Sequence, residues 1–336
     1  MSILITGGAG FIGSHSCVEF LEAGHDIVIY DNFENSNPIA VQRIEMITGQ
    51  NVPCVKGDIR NQAHLEDVMR KHNCHSVVHF AGLKAVGEST QIPLSYYENN
   101  VQGTISLLKA MQVCGIYKCI FSSSATVYGT PEFLPYTEEH PLRTINPYGR
   151  TKLMIEDILR DLHASDAAWS IAILRYFNPV GAHKSGLIGE DPQGVPNNLM
   201  PFITQVATGH REKLSIFGGD YETRDGSGVR DYIHVVDLAQ GHLAAYDFLQ
   251  TSGCTAINLG TGQGHSVLEV VKAFEHASKR KIAYEIMPRR AGDLPEFFAQ
   301  TDFAYKTLGW RVKKDLTDMC KDAWNWASKN PRGYQD

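Results

Sequence analysis

Short apolar runs alternate with longer amphipathic stretches through the first half of the chain. The runs at 3–6, 26–30, 52–56, 76–80, 119–122 and 170–175 are rich in Val, Ile and Phe, and several lack a polar face. Continuous rather than alternating hydrophobicity is the pattern of strands covered on both sides in a parallel sheet. Between them, 12–23, 63–72, 103–114 and 147–165 carry apolar positions at helical spacing. This alternation predicts a doubly wound α/β sheet. After Arg175 the texture changes. Residues 178–229 are rich in Gly, Pro and Asn, with one helix predicted at 199–208, and read as ligand-binding loops. A helix at 237–249 and a strand at 256–259 are predicted to return to the sheet. Helices at 266–277 and 316–329 then build a smaller C-terminal region.

Composition narrows the class. The 336 residues are 43% hydrophobic and 20% charged, which is ordinary for a globular protein and provides ample core. A net charge of -6 gives no reason to expect nucleic acid or a membrane surface as partner. Seven cysteines are scattered without a C-x-x-C pair, which argues for a reducing compartment over a disulfide framework. The 14 histidines form no zinc-type motif, so no metal is expected. The opening Met1-Ser2-Ile3-Leu4 runs directly into a strand, leaving no room for a leader, and no apolar run is long enough to span a bilayer. A cytoplasmic protein is expected.

The chemistry begins at Thr6-Gly7-Gly8-Ala9-Gly10-Phe11-Ile12-Gly13, between the first strand and the first helix. Its glycines suit a tight turn, close approach of backbone to pyrophosphate, and close helix–strand packing, with the helix N-terminus facing the phosphates. Asp31 ends the second strand, where a carboxylate can accept from both adenosine ribose hydroxyls and repel a 2′-phosphate. That favours NAD over NADP. Asp31 could equally be a turn aspartate, given Asn32 beside it. Asp58, after the third strand, suits the adenine edge, and Phe80-Ala81-Gly82, after the fourth, suits close approach of the cofactor.

Tyr148 and Lys152 form a Tyr-x-x-x-Lys pair near the start of a helix, on one face of it. A free phenol has a pKa of about 10, too high for a base at neutral pH. A nearby ammonium and a cationic nicotinamide would lower it. Phe121-Ser122-Ser123-Ser124 ends the fifth strand, and ligands in such sheets sit at the carboxyl ends of strands. Ser124 can therefore enter the same cleft and hydrogen-bond a reacting oxygen, although a helix cap is its ordinary alternative.

Longer strings carry a resemblance: TGGAGFIGSH at 6–15, HFAGLKAVGES at 79–89, FSSSATVYG at 121–129, PYGRTK at 147–152, RYFNPVGAH at 175–183, GEDPQGVPNNLMP at 189–201, GVRDYIHVVDLA at 228–239 and RRAGDLPE at 289–296. Nearly end to end, the chain resembles the UDP-glucose 4-epimerase family of extended short-chain dehydrogenases/reductases. The resemblance implies an isomerase with bound NAD, acting on UDP-galactose and UDP-glucose through a 4-keto sugar, and a homodimer, with the seam sought in helices within 94–114 and 147–165. It implies an NAD-binding domain at 1–177, joined by 236–260, and a UDP-sugar domain at 178–235 and 261–336. Around NAD it places Gly7, Gly10, Phe11, Ile12, Gly13, Asp31, Asn32, Asn35, Ser36, Asp58, Ile59, Phe80, Ala81, Gly82, Lys84, Asn99, Ser122, Tyr148, Lys152, Tyr176 and Phe177. Around the UDP-sugar it places Lys84, Ser124, Tyr148, Asn178, Asn198, Leu199, Phe217, Arg230, Tyr232, Arg290, Asp293 and Phe297. Tyr148, Lys152 and Ser124 are the implied catalytic set.

Phe297 departs from relatives that carry a bulky tyrosine or a small residue there, and it is expected to exclude 2-acetamido sugars. The adjacent Phe298 leaves the register open by one residue. Two rival readings remain. A sugar-nucleotide 4,6-dehydratase would use an Asp-Glu pair directly after the strand-end hydroxyl, where this chain has Ala125-Thr126. A non-catalytic NAD-sensing regulator commonly lacks the Tyr or the Lys, and both are present here.

Overall fold

The structure, a computed structural model, describes residues 1–336 except Ser252, Ala291 and Asp336; Ala291, within the 289–296 string, therefore lies outside the described residues. Seven parallel strands form the main sheet in the order Gly253–Leu259, Ser170–Tyr176, Lys118–Ser124, Cys74–His79, Ser2–Thr6, Ile27–Asp31, Cys54–Lys56. Ile3 and Ile5 enter a core built with Phe20 and Tyr246, while Leu4 enters the opposite core with Leu65, Leu107 and Leu159. All three are fully buried, which explains why their strand shows no polar alternation. Each such side chain contributes roughly 1.5–3 kcal/mol by leaving water. The chain is an α/β protein with a doubly wound parallel sheet.

The order of strands reverses between Ser2–Thr6 and Cys74–His79. Loops leaving these two carboxyl ends diverge to opposite faces and open a crevice. The backbone amides of Phe80 and Ala81 both donate to the Thr6 carbonyl, at 3.0 and 3.1 Å, so the two loops leave the sheet side by side. Helix Phe11–Glu22 packs against Val235–Phe248 on one face, and Gln62–Lys71 against Gly103–Val113 on the other. Helix Pro147–Ser165 is capped by Asn146, whose side chain accepts from the Gly149 amide, with Pro147 in its first turn.

Predicted and observed elements of this half agree to within about two residues at most ends, and Ile39–Thr48 is a helix the pattern missed. Residues 178–229 are less irregular than expected. Asn178–Val180 pairs in parallel with Val229–His234, which also pairs Gly264–Ser266 and Glu296–Phe297; Leu214–Phe217 pairs with Tyr284–Met287. These short strands cover a third core containing Val180, Met200, Phe274 and Met319. Their partners lie far away in sequence, so no local period announces them. Among the described residues no helix is long and apolar enough to cross a membrane, and no group of three His, Cys, Asp or Glu is arranged to hold a metal.

Candidate active site

A cavity of about 500 Å³ lies over the crevice, and all but two of the residues expected around NAD line it. At its floor, Gly7 has φ +70°, and a Cβ on Gly13 would collide with the Gly7 carbonyl. Only glycine lets the helix begin this close to the strand. Gly10 is the N-cap of Phe11–Glu22 and no side chain caps it, so the helix end presents amides suited to phosphates at the cavity. Asp31 is buried beside the cavity. Its Oδ2 accepts from the Ala9 amide at 3.0 Å, and its Oδ1 accepts from the Phe33 amide at 2.9 Å and the Ser36 hydroxyl at 2.8 Å. Asp31 thus organises the turn and also lines the cavity, with one acceptor site left on Oδ2. The uncapped helix end, the glycine floor and the strand-end carboxylate fit a dinucleotide.

Two expected residues stand off this cavity. Gly57 and Ile59 line it, but Asp58 does not. The bidentate grip of Arg60, at 2.9 and 2.7 Å, turns the Asp58 carboxylate aside and holds its pKa below the usual value. Phe177 packs instead with Tyr136 and Phe297.

The three serines divide by strand alternation. Ser123 donates to Glu156 at 2.6 Å, behind the site. Ser122 and Ser124 face the other way. The Ser122 carbonyl accepts from Lys152 Nζ at 2.6 Å, and its hydroxyl meets Tyr176. The Ser124 hydroxyl accepts from the Thr126 amide at 3.2 Å and so caps the following turn. It lies on the Tyr148 side of the strand, close enough to oppose the upward shift of the phenol, but lines neither cavity.

Lys152 Nζ is 5.9 Å from the centre of the Tyr148 ring and 4.9 Å from that of Phe121. Burial lowers its pKa to about 8, against the pull of Glu156 one turn further along the helix. Glu156 is itself gripped by the fully buried Arg175, at 3.0 and 2.6 Å. The expected depression of the Tyr148 pKa is not supplied by the protein alone. Burial pushes the phenol above its ordinary value, with only the Ser124 hydroxyl acting against that. The reason is physical: removing a side chain from water penalises its charged form.

A second cavity, of about 360 Å³, is lined by Asn178, Asn198, Leu199, Phe217, Arg230, Tyr232, Arg290 and Asp293, all expected around a UDP group. Asn197 lines both cavities, so they adjoin. Arg230 is anchored by donating to the Val229 and Leu294 carbonyls, each at 2.8 Å. Arg290 lies over the Phe217 ring at 4.8 Å and pairs with Asp293 at 2.8 Å. Two guanidinium groups at one cavity suit a diphosphate. Phe297 lines neither cavity; its ring packs 4.7 Å from Tyr136 and 5.2 Å from Phe177. Phe298 lies beside Gly264 instead and lines neither cavity either. Residues that sequence reasoning missed include Glu190, Asn197, Arg211 and Tyr221, which line the cavities. Glu190 and Asn197 lie inside the 189–201 string, and that was the available signal.

The chain matches the family model described as GDP-mannose 4,6 dehydratase over residues 4–323. It is 55% identical over 336 residues to a UDP-glucose 4-epimerase of Bacillus subtilis, covering 100% of this chain and 99% of that protein. The crystal structure of UDP-glucose 4-epimerase from Bifidobacterium longum in complex with NAD+ and UDP overlays with a TM-score of 0.96 at 52% identity, covering 99% of this chain and 100% of that one. An enzyme from Stenotrophomonas maltophila, with bound NAD and formylated UDP-arabinopyranose, overlays at 0.97 and 50% identity, covering 99% of each chain. Full-length identity of this order, on the same fold, means that the chain belongs to the UDP-glucose 4-epimerase family of extended short-chain dehydrogenases/reductases.

Proposed function

We propose that this chain is an isomerase of galactose metabolism that interconverts UDP-galactose and UDP-glucose. The sugar is oxidised at C4, turns over as a ketone, and is reduced from its other face. NAD, when bound, accepts the hydride and returns it. One observation carries the reading: Tyr148 and Lys152 line the same cavity as the glycine loop, and that cavity adjoins the arginine-bearing one at Asn197. Relatives named 4-epimerases, and solved relatives holding NAD and UDP, support it.

The roles follow from position. Tyr148 takes the proton of the sugar 4-hydroxyl and later returns it. Ser124 holds the phenol in place and shares the reacting oxygen. Lys152, anchored on the Ser122 carbonyl, brings positive charge beside the phenol. Arg230, Arg290 and the other lining residues of the second cavity grip UDP, so remote binding retains the intermediate while the hexose turns. We assign dinucleotide binding to 1–177 with 236–260, and UDP-sugar binding to 178–235 and 261–336. Dehydration lacks its machinery, since Ala125 is buried and the Thr126 hydroxyl donates to Ser124 at 3.0 Å.

We read the Phe297 ring, which packs on Tyr136 and Phe177 and lines neither cavity, as backing the hexose site from behind and so excluding 2-acetamido sugars. Purified protein should turn over UDP-N-acetylglucosamine at least about tenfold more slowly than UDP-glucose, a single steric clash being worth 1–3 kcal/mol; comparable rates would remove this role. A homodimer is our reading of the assembly, with exposed Leu94, Val113 and Met154 as its candidate seam; light scattering checks the mass. The experiment for the main reading incubates purified protein with UDP-galactose and no added NAD. We expect UDP-glucose to form catalytically; absence of conversion even with NAD supplied would refute the assignment.

A further inference from the structure

Glu190 is a carboxylate that none of the roles above uses. It lines the dinucleotide cavity and its side chain is only 10% exposed. Its Oε1 accepts from Asn198 Nδ2 at 2.8 Å and from Lys84 Nζ at 3.3 Å. Asn198 belongs to the second cavity and Lys84 to the first, so one oxygen ties the two together. Asn198 is the N-cap of helix Leu199–Ala207, yet it makes no side-chain cap hydrogen bond. Its amide reaches Glu190 instead.

The main chain behind Glu190 is pinned. Its carbonyl accepts from the Trp326 indole at 3.3 Å, and Gly189 bridges Ala182. The side chain is therefore held at the seam by structure on its far side. The other oxygen, Oε2, is buried without a hydrogen-bond partner. A buried carboxylate oxygen left unpaired is costly, and a donor arriving with a ligand would relieve the cost.

We propose that Glu190 Oε2 accepts a hydrogen bond from a sugar-ring hydroxyl of bound ligand at the junction of the two cavities, while Oε1 holds Lys84 and Asn198 around it. The shared chemistry is a ring hydroxyl, from either the hexose of the sugar nucleotide or a ribose of the dinucleotide. The proposal rests on the UDP-sugar reading above. A carboxylate suits the task because it accepts and never donates, so it tolerates a ring that presents different hydroxyls in turn.

The test compares the holoprotein with Glu190→Gln and Glu190→Ala. It measures kcat and KM for UDP-galactose, the affinity for UDP alone, and the dinucleotide retained through gel filtration. If the hexose is the donor, KM for UDP-galactose rises by roughly tenfold or more while UDP affinity stays within about twofold and dinucleotide is retained. If a ribose is the donor, dinucleotide is lost from both variants while UDP affinity holds. UDP and UDP-galactose weakening by the same factor would overturn the proposal, because Glu190 would then act only through Asn198. So would no change in any of the three quantities. Failure of the parent protein to convert UDP-galactose would strike the underlying reading instead, and the UDP and dinucleotide measurements distinguish the two failures.

Discussion

The large sheet and the smaller strands beyond Arg175, each of which we propose binds one half of a reaction complex, are built in different ways. The dinucleotide side is built from backbone. Glycines permit a close approach, an uncapped helix end faces the cavity, and Asp31 is already held by Ala9, Phe33 and Ser36. The UDP side is built from long side chains. Arg290 is exposed and held by a neighbouring carboxylate, and Asn198 is turned toward Glu190. Backbone sites are rigid and suit a cofactor that stays, whereas side-chain sites can let go of a ligand each turnover.

Tyr148, at the meeting point of the two regions, should show the largest effect. Tyr148→Phe removes one oxygen, so turnover should drop by roughly a hundred- to ten-thousandfold while UDP binding by calorimetry and dinucleotide retention stay near parental values. Unchanged turnover would take the phenol out of the mechanism.

A paired comparison separates the regions themselves. Gly13→Ala forces a methyl against the Gly7 carbonyl; it should cost on the order of 1–3 kcal/mol in urea unfolding and strip the dinucleotide. Arg290→Ala should leave stability and dinucleotide alone and weaken UDP by about tenfold. If each variant affected both ligands equally, the division of labour would be wrong.

Acid sensitivity is seated around the large sheet. Burial lowers the pKa of His15 and His79 to about 3 and of His242 to about 4. Above about 6.5 both folded and unfolded states keep them neutral. Below it the unfolded chain takes up protons that the folded one refuses, so stability falls as pH drops and levels off only near 3–4. Each should cost about 2 kcal/mol at pH 5. His79 bridges the Thr6 and Thr104 hydroxyls. His79→Gln should therefore lose less stability than the parent between pH 7 and pH 5 in urea titrations; an equal loss would contradict this.

The same contrast governs what the sequence could reveal. Strands such as Ser2–Thr6 and Ser170–Tyr176 are buried on both faces and flanked by helices, so their identity is written locally. Leu214–Phe217 and Tyr284–Met287 find each other across about 70 residues, and nothing near either announces the pairing. At the site, the glycine loop, Tyr148, Lys152 and Ser124 were legible because their spacing encodes their geometry. The pairing of Asp58 with Arg60, two residues on, was not legible, because nothing in the spacing says which neighbour a turn carboxylate takes. Glu190 was passed over because its meaning lies in contacts 106 residues away at Lys84 and 8 away at Asn198.

In the proposed reaction, Tyr148 and a nicotinamide bound in the first cavity act on the same sugar centre. A crystal structure of the holoprotein with a bound UDP-hexose tests it most directly. The Tyr148 phenolic oxygen is expected within hydrogen-bond distance of the hexose 4-oxygen. A separation wider than one bridging water, in a complete ternary complex, would contradict it.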